Sequence, residues 1–213
     1  MLKYKIKILF IFIIMLCTFT YVDASQPCLL GKIIYVDPGH GGMDPGATYK
    51  ELKESNINLE ISEKLKEKLE KKGAKVYLTR NGDYDLSNNN TSNHKKNDLL
   101  NRAKIINESE CDIFISIHLN SDPSPTWNGT QIFYTNKNKE NKQIAQIIKQ
   151  QIKTKRSIKE IKNMYLFDRI TKPGILIEVG FISNSNDRYK ITNKEYQQQL
   201  AQSITNGIIE YFK

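Results

Sequence analysis

The strongest constraint on the fold is an apolar strand that stops in a glycine turn, followed by an amphipathic helix and a second strand. Ile33-Ile-Tyr-Val36 runs into Asp37-Pro-Gly39-His40-Gly41-Gly42. Glycines in such a turn allow positive φ and close backbone approach, so a side chain carried there can be aimed. Ile57, Ile61, Leu65 and Leu69 recur every fourth residue, which predicts a helix from about Glu54 to Lys72 with one apolar face. Gly73 stops it, and Lys75-Val-Tyr-Leu-Thr79 is the next strand. Strand, helix and strand then form a parallel unit with a right-handed crossover.

The same alternation continues downstream. Arg80 to Asn97 reads as a long polar loop, and Asp98 to Ser109 as a helix with Leu99, Leu100, Ala103 and Ile106 inward. Asp112-Ile-Phe-Ile-Ser-Ile117 is apolar enough for a central strand and ends in His118-Leu-Asn120. Pro123, Pro125 and Trp127 mark a loop before a strand at Gly129–Tyr134; a helix from Glu140 to about Lys153 and a basic segment to Lys162 follow. Met164 to Phe167 reads as a short strand, Gly174 to Val179 as a core strand, and Lys194 to Phe212 as the last helix. The expected fold is one α/β domain over residues 25–213, with a twisted, mostly parallel sheet flanked by helices.

Residues 1–24 stand apart. Lys3, Lys5 and Lys7 precede an apolar run from Ile8 to Tyr21, and Val22-Asp23-Ala24 offers small residues for cleavage. This is the layout of an export signal, and the run is shorter than the ~20 residues of a spanning helix. An uncleaved anchor is the competing reading, and only then is the membrane a partner. The net charge of +9 stays strongly positive when this segment is removed. A basic surface suits an anionic polymer, and export excludes nucleic acid in favour of cell wall. Cys28 and Cys111 are too few for a disulfide framework or a zinc knuckle.

In an open parallel sheet, sites form beyond the carboxyl ends of strands, so His40 and His118 can face one crevice if their strands are neighbours. Two neutral imidazoles and one carboxylate are the protein's share of a catalytic zinc site. Glu54, opening the first helix, is the candidate carboxylate, with Glu51 and Asp44 as rivals. Glu178 lies within an apolar strand, where a charge is costly unless paired or placed at a site. Its alternative is a buried ion pair with Arg80 or Arg102. His94, within the polar loop, reads as surface.

Several blocks carry a resemblance: Asp37-Pro-Gly-His-Gly-Gly-Met-Asp-Pro-Gly-Ala47, Lys53-Glu54 with Asn58-Leu59, Thr79-Arg-Asn-Gly-Asp83, Asn101-Arg-Ala-Lys-Ile-Ile-Asn107, Ile115-Ser-Ile-His-Leu-Asn-Ser121 and Ile175-Leu-Ile-Glu-Val-Gly-Phe-Ile-Ser-Asn184. In order and spacing, over essentially the whole exported chain, they resemble the zinc-dependent N-acetylmuramoyl-L-alanine amidases. The resemblance implies Zn²⁺ held by His40, Glu54 and His118, with Glu178 as catalytic base, and it chooses Glu54 over its rivals. It implies hydrolysis of the amide between N-acetylmuramic acid and L-alanine, on a peptidoglycan glycan strand bearing a stem peptide. Asn120 and Arg102 are candidate substrate contacts or supports of the fold.

The Asn-rich insertion, the Trp127–Tyr134 block and the closing Ile-Glu-Tyr-Phe are similar to sporulation members of that family, which make muramic-δ-lactam in spore cortex. That similarity implies action in the cell wall or the forespore intermembrane space, and the lack of wall-binding repeats makes an accessory sporulation protein plausible. A zinc-dependent peptidoglycan deacetylase and a non-catalytic wall-binding or assembly module are the competing functions.

Overall fold

The computed structural model describes residues 28–88 and 93–213, so the expected export signal lies outside the described residues. Strand β1 (Ile33–Pro38) leads through a small antiparallel hairpin, β2 (Thr48–Tyr49) and β3 (Leu52–Lys53), into helix α1 (Glu54–Lys71). Strand β4 (Lys75–Leu78), helix α2 (His94–Glu108) and strand β5 (Ile113–Asn120) follow. Strand β6 (Gln131–Tyr134), helix α3 (Asn141–Ile152), strand β7 (Lys159–Glu160) and strand β8 (Gly174–Phe181) come next. Helices α4 (Ser185–Ile191) and α5 (Lys194–Tyr211) close the chain.

The sheet has six strands in the order β4-β1-β5-β8-β6-β7. β4, β1, β5 and β8 pair in parallel, whereas β6 runs antiparallel to β8 and parallel to β7. The strands bearing His118 and Glu178 are therefore neighbours, and β1, which feeds the His40 turn, lies on the other side of β5.

Alternation along the strands divides the interior in two. Ile34, Val36, Ile115, Ile117, Ile175 and Ile177 join the core formed with α1, α3 and α5. Phe114 and Leu176 point the other way, against Ala103 and Ile106 of α2 and Phe167. The predicted stripe of α1 is fully realised: Ile57, Ile61, Leu65 and Leu69 are all buried. Each such side chain contributes roughly 1.5–3 kcal/mol.

The structure changes several local expectations. Helix α2 begins at His94, four residues early, because Asn93 caps it by accepting from the Lys96 N–H. Its buried face carries Asp98 and Arg102 as well as Ala103 and Ile106, which rotates Leu100 out to 44% exposure. Met164–Phe167 is not a strand: residues 165–169 form a turn. Leu166 and Phe167 are both buried, and the turn packs both into the cluster around Phe114. The edge strand is instead Lys159–Glu160, within the basic segment, where charges discourage further pairing. Helix α4 went unpredicted, although Asn184 followed by Asp187 is a capping signal, and Asn184 accepts from the Asp187 N–H. Cys28 and Cys111 are both free thiols. No described helix is long and apolar enough to cross a membrane.

Candidate active site

Gly39 continues β1 into the turn, its N–H donating to the Ile117 carbonyl, and His40 follows with φ +62°. That left-handed backbone is costly for a histidine and persists only because its surroundings hold it. Arg80, 1% exposed, donates to the carbonyls of Pro38, Gly39, Gly82 and Ser55, tying the turn to the first residues of α1. Arg102, also 1% exposed, donates to the carboxylates of Asp37 and Asp98 and to the carbonyls of Pro38 and His40.

Asp37 anchors the arrangement from inside the sheet. It is fully buried and accepts from Arg102, Thr79 Oγ1 and Ser116 Oγ at 2.6–2.8 Å. Burial works against its charge, but Arg102 and Thr79 outweigh burial and hold the carboxyl at about 2. Asp37→Asn should therefore destabilise the protein by about 3–5 kcal/mol, read as a lower midpoint in urea, because it leaves the Arg102 charge without one carboxylate. The sign of the pH dependence follows from the depressed pKa. The stabilisation is complete above the unfolded value of ~3.9 and is lost as pH falls toward 2, a slope the variant should lack.

On this frame the ligand candidates converge. His40 Nε2 lies 3.2 Å and His118 Nδ1 3.0 Å from Glu54 Oε1. One donor atom from each of the three residues falls within 4.8 Å of the others. The imidazoles meet edge to face with centroids 4.9 Å apart. Glu54 is buried and also accepts from the N–H groups of Leu119 and Ala47. Burial raises its pKa, yet hydrogen bonds from His118 and His40 overcome burial and keep the carboxyl far below its ordinary range. For His40, burial disfavours the charged ring, but Glu54 and Asp44 outweigh it and raise the pKa.

The rivals for the third position take other places. Asp44 Oδ2 lies 2.9 Å from His40 Nδ1, the far nitrogen, and so orients the ring rather than joining the cluster. Glu51 sits exposed on the β2–β3 turn.

The donors fit a zinc-sized cation in chemistry as well as spacing, since two imidazoles and a carboxylate leave a fourth position open. Two glycines make room for them. A Cβ on Gly46 would meet Glu54 Oε2 at 2.6 Å, and one on Gly39 would lie 2.2–2.6 Å from three atoms of the His118 ring. Gly39→Ala must therefore displace His118, and metal affinity should fall roughly 10–100-fold in competition with a chromogenic chelator, as it does for lost supports of metal ligands.

Glu178 pairs with His118 on β5 and Gln131 on β6, so the three side chains share the sheet face that α2 covers only in part. Its Oε2 is enclosed and accepts no hydrogen bond among the described residues. The ion-pair alternative fails, because both candidate arginines are committed to other acceptors. Burial raises the Glu178 carboxyl to about 7. Asn120 ends β5 half-exposed at the rim, while Arg102, as a candidate substrate contact, is turned inward with its donors committed.

A pocket of about 30 Å³ over Gly39, His40 and His118 adjoins a cavity of about 290 Å³ lined by Met43, Asp44, Asp85, His94, Lys95 and Asp98. His94, read from the sequence as a surface residue, is half-buried in the lining of the larger cavity, with its Nδ1 2.9 Å from Ser87 Oγ. Asp37 was missed as a support of the site, although an acid between an apolar strand and a glycine turn was a readable signal.

An α/β sheet with two histidines and a carboxylate that could hold a metal ion at its carboxyl edge, and a separate enclosed carboxylate beside them, is an arrangement suited to hydrolysis. The chain belongs to the N-acetylmuramoyl-L-alanine amidase family, which matches residues 34–210. It is 43% identical to the germination-specific N-acetylmuramoyl-L-alanine amidase of Bacillus subtilis, covering 94% of this chain and 91% of that protein. Its fold is similar to the CwlD amidase from Clostridioides difficile, solved in complex with the GerS lipoprotein: TM-score 0.81, 35% identity, 84% of this chain and 98% of that one. A second N-acetylmuramoyl-L-alanine amidase structure, from Clostridium difficile 630, aligns with TM-score 0.76 and 33% identity over 84% of this chain and 96% of that one.

Proposed function

We propose that this amidase cleaves the bond between N-acetylmuramic acid and L-alanine with Zn²⁺ held by His40, Glu54 and His118, and that Glu178 is its general base. The observation that carries the reading is the enclosed, unpartnered Glu178 Oε2 in register with His118. Held by His40, Glu54 and His118, Zn²⁺ would supply Lewis acidity toward the amide carbonyl and toward a water, whose pKa such an ion lowers to ~7. Glu178 takes the proton of the attacking water and returns it to the departing amine. Burial, which raises its pKa, favours the uptake of that proton. Asp44 fixes the orientation of His40, and Arg102 and Arg80 hold the backbone that presents it. Asn120, at the rim, contacts the substrate.

The physiological reading is action on spore cortex, where removal of stem peptides prepares muramic-δ-lactam. Its support is the likeness to the germination-specific and CwlD amidases. Residues 1–24 direct export, which places the enzyme where peptidoglycan lies. An accessory lipoprotein is part of this reading, since the CwlD structure was solved with one. Mass spectrometry of digested wall tests the chemistry: the amidase releases free stem peptide, whereas loss of acetyl groups would identify a deacetylase. Cortex of a deletion strain should lack muramic-δ-lactam; cortex that keeps it would reject the sporulation role and leave the amidase chemistry standing.

A further inference from the structure

The chain has one tryptophan, and it is not in the core: Trp127 is 51% exposed on the loop from β5 to β6. That loop leaves the sheet just after His118 and Asn120 and returns at Gln131, the register partner of Glu178. Its braces include Asn184 Nδ2 donating to the Pro125 carbonyl (2.6 Å), the Gly129 N–H to Asp187 (2.7 Å) and Arg156 Nε to the Asn128 carbonyl (2.7 Å).

The guanidinium of Arg156 lies between two rings, 4.9 Å from the Trp127 centroid and 4.8 Å from that of Phe181, and also donates to the Gln131 side chain at 3.3 Å. Arg156 thus links Trp127 to Phe181, at the carboxyl end of β8. Arg156 covers one side of the indole, and much of the ring stays open to solvent. An aromatic residue left this exposed forgoes the burial that usually retains it. A cation stacked beneath it holds the ring in place.

We infer that Trp127 is the platform of a glycan subsite, on which a pyranose ring of an N-acetylhexosamine polymer stacks. The inference rests on the amidase reading, which supplies the polymer: the substrate carries sugar on one side of the scissile amide and peptide on the other. A pyranose offers a flat face of C–H groups to an aromatic face, and its hydroxyl and acetamido groups remain in water, so a half-exposed ring on a rigid loop suits it. Trp127 lies on the β8–β6 side of the donor cluster, and the Met43–Lys95 cavity lies on the β1 side. Sugar over Trp127 directs the stem peptide toward that cavity. Trp127 binds and positions substrate and takes no part in proton transfer.

The single tryptophan makes the test direct. Titrating the protein with a peptide-free tetrasaccharide of alternating N-acetylglucosamine and N-acetylmuramic acid should change tryptophan fluorescence to saturation, and free stem peptide should not. On a muropeptide substrate of the same glycan length, Trp127→Ala should raise KM about ten-fold with kcat little changed, the signature of lost uniform binding, and Trp127→Phe should recover most of the loss. The proposal is overturned by fluorescence that ignores the tetrasaccharide or answers the peptide alike, or by an unchanged KM in Trp127→Ala. Wild-type protein that releases no stem peptide, while its fluorescence still reports the tetrasaccharide, would sink the amidase reading and sustain the platform.

Discussion

Replacing Glu178 with glutamine should leave the metal in place and reduce turnover by ~10²–10⁴, the usual share of a positioned general base. Glutamine has the same shape but cannot take up a proton, and Glu178 lies outside the cluster formed by His40, Glu54 and His118. Metal analysis of the purified variant should therefore match the wild type, while release of stem peptide falls. The pH profile supplies a second readout. Burial raises the carboxyl to about 7, and a base works only when deprotonated, so the wild-type rate should rise with pH on its acid limb. A cation in the adjacent cluster favours the carboxylate and moves that limb below 7. The variant's residual activity should lack it. Loss of zinc from Glu178→Gln would instead show that the roles of Glu54 and Glu178 have been wrongly divided.

Exhaustive chelation should abolish activity, and stoichiometric zinc should restore it. His118→Ala should not be rescued, since it deletes a donor. The apo protein should still fold, because Glu54 is held by the N–H groups of Ala47 and Leu119 and His40 by Asp44, whether or not a cation is bound. Zinc should nevertheless raise the unfolding midpoint, since a ligand at 100 times its Kd stabilises the native state by about 2.7 kcal/mol. A chelated enzyme that kept full activity would reject the metal-dependent mechanism.

Much of this was legible in the chain. The Ile57–Leu69 stripe predicted α1, because burial on one face leaves a periodic mark, and the apolar runs at Ile113–Ile117 and Gly174–Val179 predicted central strands, because burial on both faces leaves a continuous one. Helix α2 was harder to read: its inward face is partly Asp98 and Arg102, and an ion pair turned to the core looks like solvent-facing charge until its partner Asp37 is placed beneath it. The turn at Leu166 and Phe167 misled for the opposite reason, since two adjacent apolar residues imitate a short strand while both pack against Phe114 and its neighbours.

At the site, the sequence by itself determined which residue types were available and that two histidines follow strand ends. It also supplied the ordered blocks by which Glu54 was preferred to Glu51 and Asp44. Only the tertiary structure decided that Asp44 serves the far nitrogen of His40, that Arg102 faces inward, and that Trp127 stands half-exposed over Arg156. The physical reason is range: helix and strand patterns are written over a few residues. The Glu54–His118, Asp37–Arg102 and Trp127–Arg156 contacts join residues far apart in the chain, and they arise only when the sheet sets β1, β5, β8 and β6 side by side.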